Sequence, residues 1–313
     1  MTKEEYQDII KLLKKLLFFS IPIIIWILIV LLIDPFNYFN NNNNIIKIEN
    51  KEKAAQQLNS LLYNCIGFIN KPTENIIIGD SRIRNFSTER IKEITGKNYY
   101  LLYSNAAKLN EMIDLFWFAN SKSKLKNVIL GLNFNLYNQY AYADRVKDVE
   151  EIIQNPLIYI FNQNILESVC LSLKYEYIMP PKRKIKDKTK FWEYTINTVA
   201  KNHFEKYLYP KELLNRLTEI NRYCERKNIN LKLIIVPSHE EYRHKLIYYN
   251  LSDEEHLFKS QIKNIGEVID FDYNNIITTD KACFGDPLHT TKETSRVLID
   301  EIFKDSLVIG KKL

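Results

Sequence analysis

Cysteine in any metal-binding or redox spacing is missing from this 313-residue chain. Its four cysteines, Cys65, Cys170, Cys224 and Cys283, form no CxxC pair and no Cys/His cluster. That excludes a zinc site and a dithiol redox pair, and neither a metal nor another cofactor is expected. Their spacing sets no disulfide pairing. Also absent is a basic block interleaved with aromatics: 44 Lys and Arg are scattered among 38 Asp and Glu, for a net charge of +6. Nucleic acid is therefore not an expected partner. The densest basic run, Lys182-Arg183-Lys184-Ile185-Lys186, is short and reads as a solvated loop, although an anionic polymer or membrane surface would suit it. Glycine is scarce at seven residues, while Asn, Ile, Lys and Tyr abound, a bias of codons more than of physics. A hydrophobic content of 46% excludes a disordered chain and can build a sizeable core.

One long apolar run is present. Leu16 to Ile33 carries no charge over 18 residues, enough to cross a bilayer, and Pro22 is tolerable in a membrane helix. No small-residue cleavage site follows it, and Asp34-Pro35-Phe36 is a poor context for one, so the run reads as a transmembrane helix rather than a cleaved signal. Lys3, Lys11, Lys14 and Lys15 precede the span, and the first lysine after it is Lys47. The positive-inside rule then predicts a cytoplasmic N-terminus over 1–15, a single span over 16–33 and an extracytoplasmic remainder. Residues 34–50, with the run Asn40 to Asn44, read as a polar tether, and the globular domain as 51–313.

Within that domain short β-branched runs alternate with amphipathic stretches. Helices are expected over Lys51 to Tyr63, Thr88 to Thr95, Glu111 to Asn120, Leu213 to Arg226, Asp253 to Ile265 and Thr291 to Phe303. Strands are expected over Asn75 to Ile78, Tyr99 to Tyr103, Val128 to Leu130, Leu231 to Val236 and Val268 to Phe271. Such alternation predicts an α/β domain with a doubly wound parallel sheet in three layers, its site at the carboxyl ends of the strands. Between about 138 and 210 the alternation stops, and this stretch reads as a helical insertion over one sheet edge, either a lid or a peripheral layer.

The strand Asn75 to Ile78 ends in Gly79-Asp80-Ser81-Arg82, where the glycine is expected to allow a sharp turn that presents Ser81 at the start of the next helix. Far downstream, Asp286-Pro287-Leu288-His289 puts an acid and an imidazole three residues apart, read as one helical turn. Together they supply a nucleophile, a base and the acid that orients the base, in the chain order Ser, Asp, His. A serine hydroxyl attacks only if its proton is removed, the role of His289 with Asp286 behind it.

Ile76-Ile77-Ile78-Gly79-Asp80-Ser81 resembles the first block of the SGNH/GDSL hydrolase superfamily. Gly131-Leu132-Asn133-Phe134 resembles its third block with the last acid replaced by Phe134, and Asp286-Pro287-Leu288-His289 resembles its fifth. The second block departs from the pattern: Ser104-Asn105-Ala106-Ala107-Lys108 stands where a glycine is usual. The resemblance implies a flavodoxin-like fold, with an oxyanion hole built from the Ser81 N–H, the Asn133 side chain and a backbone N–H assigned to Lys108 or Ala107. Arg82 and His239 are candidates for the substrate-binding rim.

With its apolar run, the chain is similar to membrane-anchored SGNH-like proteins of bacterial surface-polysaccharide loci, among them relatives of the D-alanyl transfer and alginate O-acetylation proteins. That implies a serine acyltransferase or esterase placing or removing acetyl or D-alanyl esters on a cell-surface glycopolymer or teichoic-acid-like polymer. A multi-span membrane O-acyltransferase is the implied partner. The competing reading, motivated by the altered second and third blocks, is a catalytically silent scaffold that holds polymer or docks that partner.

Overall fold

The computed structural model describes residues 3–41, 45–179, 187–304 and 306–313. The basic run 182–186 lies outside them. The chain divides into two compact units, residues 1–67 with 149–183, and residues 68–148 with 184–313.

The first unit is helical. Its α1, Lys3–Ile33, is about 46 Å long at 1.5 Å per residue and is long and apolar enough to cross a membrane. It exposes apolar side chains such as Leu17, Phe18 and Ile25, whereas Val30 and Ile33 near its end are buried. Asp34 follows with left-handed backbone (φ 41°), and its carboxylate accepts from the Tyr38 and Phe39 N–H groups and from the Tyr159 hydroxyl. Next come α2, Ile48–Asn70, broken at Asn59; α5, Arg145–Gln154; α6, Pro156–Phe161; and α7, Gln163–Tyr177. The helix α2 continues into the second unit and α5 begins in it. The first half of the stretch expected to cover a sheet edge thus groups with the N-terminal helices.

The second unit is a mixed α/β domain around a largely parallel sheet. Strands β1 (Asn75–Gly79), β2 (Tyr100–Tyr103), β3 (Asn127–Leu132), β4 (Asn230–Ile235) and β5 (Glu267–Asp270) lie in the order β2-β1-β3-β4-β5, all parallel. In register Ile77 faces Leu101 on one side and Ile129 on the other. Successive strand side chains point to opposite faces, and Ile76, Ile77 and Ile78 are all fully buried, so both faces are covered. Burying each isoleucine contributes roughly 1.5–3 kcal/mol. Against the Ile77, Ile129, Ile234 and Ile269 face pack α3 (Thr88–Thr95) and α13 (Lys292–Lys304) through Ile91, Leu298, Ile299 and Ile302. Helix α4 (Leu109–Lys122) contacts β1 and α10 (Lys211–Lys227), and α10 contacts β4.

Several elements depart from the expected pattern. A short β8, Lys311–Lys312, pairs antiparallel with β5, so the sheet is not wholly parallel. Asp286 and His289 do not stand on a helical turn: they face each other across a small antiparallel hairpin, β6 (Phe284–Asp286) and β7 (His289–Thr290). Pro287, which cannot donate to a helical ladder, sits in its turn. The short α11, Glu240–Tyr248, escapes the sequence pattern because its buried face rests on two residues, Tyr242 and Leu246. Residues 188–204 form one run of α8 (Lys188–Tyr194), a π-helical turn (Thr195–Val199) and α9 (Ala200–Phe204). Helix α12 is Ser252–Ile262.

Candidate active site

Ser81 opens a 3₁₀ turn, Ser81–Ile83, directly after β1. The turn is capped by Asp80, whose side chain accepts from the Arg82 N–H at 2.9 Å. Gly79 has no left-handed φ, so backbone freedom is not what the position requires. What it supplies is the absence of a Cβ: an ideal Cβ there would stand 2.9 Å from Ile83 Cδ1, and one on Gly131 would stand 3.1 Å from Ile83 Cγ2. Ile83 therefore tucks over two glycines and draws the serine turn onto the strand ends.

The hairpin brings its acid and imidazole to that turn. Ser81 Oγ lies 2.8 Å from His289 Nε2, and His289 Nδ1 lies 2.8 Å from both Asp286 oxygens. Both the imidazole and the carboxylate are largely shielded from solvent. Burial pushes the Asp286 carboxyl up. The hydrogen bond and charge of His289, the Leu288 N–H and the Arg84 charge outweigh it and hold the group below the usual carboxylate range. Asp286 is thus an anion at neutral pH, able to fix the proton of His289 on Nδ1 and leave Nε2 free to accept from Ser81. The hairpin is held on both sides: the Asn85 amide donates to the Thr290 carbonyl, and the His239 N–H donates to the Pro287 carbonyl.

These residues border a cavity of about 220 Å³. Ser81, Arg82, Ala106 and His289 lie on its wall, and Phe191, Thr195, Val199 and His203 border it at four-residue spacing along the 188–204 helical run. The π turn, in which the Ala200 N–H reaches back five residues to the Thr195 carbonyl, lies within that stripe. The second half of the insertion is therefore a cavity wall. Among the described residues, no group of three or more His, Cys, Asp or Glu could hold a metal ion.

No family model matches the chain, and no curated protein matches it. Among solved structures, one from Streptococcus pneumonia, described provisionally as a platelet activating factor, aligns at 12% identity with a TM-score of 0.43. The alignment covers 82% of this chain and 95% of that one.

Two of the three expected oxyanion donors are engaged elsewhere. The Asn133 amide donates to the Val236 carbonyl at 2.7 Å and does not border the cavity; Asn135, two residues on, does. Asn133 still has extended backbone (φ −151°, ψ 147°), which aims its side chain at the end of the neighbouring strand. The Lys108 N–H donates to Glu111 Oε2 at 2.9 Å, and the alternative, the Ala107 N–H, donates to the Ser104 carbonyl. Glu111 is held in turn by two 2.7 Å bonds from Arg145. The third expected donor, the Ser81 N–H, and the Ala106 N–H, which was not expected, make no protein hydrogen bond among the described residues, and both residues line the cavity. Ala106 has left-handed φ (54°), the conformation in which a glycine would be unstrained.

Arg82 lies on the cavity wall but is 3% exposed, with Nε 3.5 Å from Asp80 and an N–H to Asn135 Oδ1 at 2.6 Å. His239 is not on the rim. It is 1% exposed, packed edge-on between Trp192 and Phe284, and it caps α11 by accepting from the Glu241 N–H. Burial lowers its imidazole pKa, so it is a neutral prop for the hairpin. Besides His289, the histidine that reaches the cavity is His203, for which the local sequence carries no signal.

Proposed function

We propose that the chain is an SGNH-type serine acyl-ester enzyme with a doubly wound α/β domain, tethered by α1 as a single membrane span with a cytoplasmic N-terminus. The observation that carries this reading is the Ser81–His289–Asp286 relay with both links at 2.8 Å. Ser81 Oγ attacks the ester carbonyl as its proton passes to His289 Nε2. The oxyanion takes hydrogen bonds from the Ser81 and Ala106 N–H groups, and collapse expels the alcohol, which leaves with the proton from His289. A water or a second hydroxyl, deprotonated by the same imidazole, then releases the acyl group from Ser81. Water gives hydrolysis, and a polymer hydroxyl gives transfer. The natural alcohol in this reading is a cell-surface glycopolymer, with a multi-span membrane O-acyltransferase as acyl donor.

The test is labelling of the detergent-purified full chain by a fluorophosphonate probe. Labelling of the wild type and none of Ser81→Ala is expected; equal labelling of the two refutes the nucleophile. A second reading, a silent polymer-binding scaffold, is favoured by the commitment of Asn133 and Lys108 to other partners. Full restoration of polymer ester content by Ser81→Ala in a deletion strain would select it.

A further inference from the structure

The serine cavity adjoins a second, larger cavity of about 570 Å³. The two share Lys108, Asn135 and His203, and the second is otherwise bordered by polar groups such as Tyr140, Asn202 and Glu205. The first, by contrast, is also bordered by the apolar Phe191, Val199, Leu136 and Leu288. An ester seated on Ser81 would thus lie in a cavity with apolar lining that shares His203 with a polar, hydroxyl-compatible one.

The state of His203 follows from its partners. Its Nδ1 lies 2.7 Å from the Tyr242 hydroxyl. The positive charge of Arg82 lies beside that hydroxyl, turning the oxygen lone pairs toward the guanidinium and the O–H toward His203. The reverse arrangement, with Nδ1–H donating, would set two donors on one oxygen and leave a buried phenol proton without an acceptor among the described residues. Burial, reinforced by the charges of Arg82 and Lys108, pushes the imidazole down to about 3, so the ring is neutral and carries one proton. With Nδ1 accepting, that proton is on Nε2. Among the described residues this nitrogen has no hydrogen-bond partner, and, unlike Nε2 of His239, it is not sealed from solvent.

We propose that His203, through Nε2–H, donates a hydrogen bond to a hydroxyl group on the alcohol portion of the ester, where the serine cavity adjoins the polar one. The substrate class this selects is an acyl ester of a polyhydroxylated alcohol, with the acyl chain against the apolar lining. The inference rests on the esterase or transferase reading above and narrows it to one side of the substrate.

The test compares two acetates with the same three-carbon alcohol skeleton, glyceryl 1-acetate and propyl acetate, using the full chain in detergent. The wild type is expected to favour the glyceryl ester at least tenfold in kcat/KM, since a site built around a hydrogen bond discriminates against an analogue lacking the hydroxyl. His203→Phe should bring that preference close to one, mostly through KM. His203→Gln, which keeps a neutral donor, should restore part of it. Tyr242→Phe, which leaves the ring but removes the proton that sets its tautomer, should lower the preference by a smaller factor. An equal preference in wild type and His203→Phe overturns the assignment. Fluorophosphonate labelling of Ser81 accompanied by no preference, or by turnover of neither ester, overturns it while leaving the nucleophile in place. Absence of labelling in the wild type overturns the enzyme reading beneath it, and this assignment with it.

Discussion

Acid should destabilise the second unit in a way that a single substitution removes. His203 is held down to about 3 by burial and by the charges of Arg82 and Lys108, while in the unfolded chain it titrates near its ordinary value of 6.5. As pH falls below about 6.5 the unfolded state takes up a proton that the folded state refuses until about 3. The stability that comes from keeping this ring neutral is therefore whole above 6.5 and is lost as pH drops through that window. Each pH unit in which only the unfolded state is protonated costs about 1.4 kcal/mol, so a descent from pH 5.5 to 4 removes about 2 kcal/mol. His203→Gln has no such proton to bind. Other titrating groups act alike in both proteins, so the difference between their pH profiles isolates this one. Urea unfolding of the full chain in detergent, followed by tryptophan fluorescence between pH 4 and 7, should show the wild type losing stability faster toward acid by about that amount. Parallel profiles would refute both the neutral state of His203 and its shielding by the cavity wall.

Asp286→Asn should lower esterase kcat by about 10³–10⁴, because an amide does not hold His289 in the tautomer that accepts from Ser81; steady-state hydrolysis of an activated ester measures it. Gly79→Ala should destabilise by roughly 1–3 kcal/mol, since the new methyl meets Ile83 at 2.9 Å and must displace the serine turn; thermal unfolding checks the sign. Glu111→Ala removes a fully buried carboxylate that ties the Lys108 N–H to Arg145, and should cost about 3 kcal/mol in the same assay. Ala106→Gly relieves a left-handed alanine and should leave stability unchanged or raise it by up to about 1 kcal/mol, as read from the urea midpoint.

Much of the layout was legible in local pattern. The helix expected over Thr88 to Thr95 is found at those bounds because its start and stop signals are local: Ser87 caps it and Gly96 ends it in the left-handed conformation. The strands were legible because burial on both faces requires unbroken β-branched runs such as Ile76-Ile77-Ile78. The hairpin carrying Asp286 and His289 was not, since strands of two or three residues leave too short a pattern to separate from a helical turn.

What the sequence determined by itself, then, is what depends on neighbours along the chain: an apolar helix of membrane-spanning length, alternating strands and helices, and a serine at the end of the first strand. Which polar groups face the cavity was decided only by the tertiary structure. Asn133 is engaged by a carbonyl 103 residues away and His203 by a hydroxyl 39 residues away, while Arg82 is pinned by Asn135, 53 residues on. A polar side chain buried in a fold must satisfy its hydrogen bonds with whatever the packing brings beside it. Asn133 is occupied in that way, His239 is engaged through Nδ1 alone, and neither borders the cavity. The Ala106 N–H and the His203 Nε2, which find no protein partner among the described residues, belong to residues that border the cavity with Ser81.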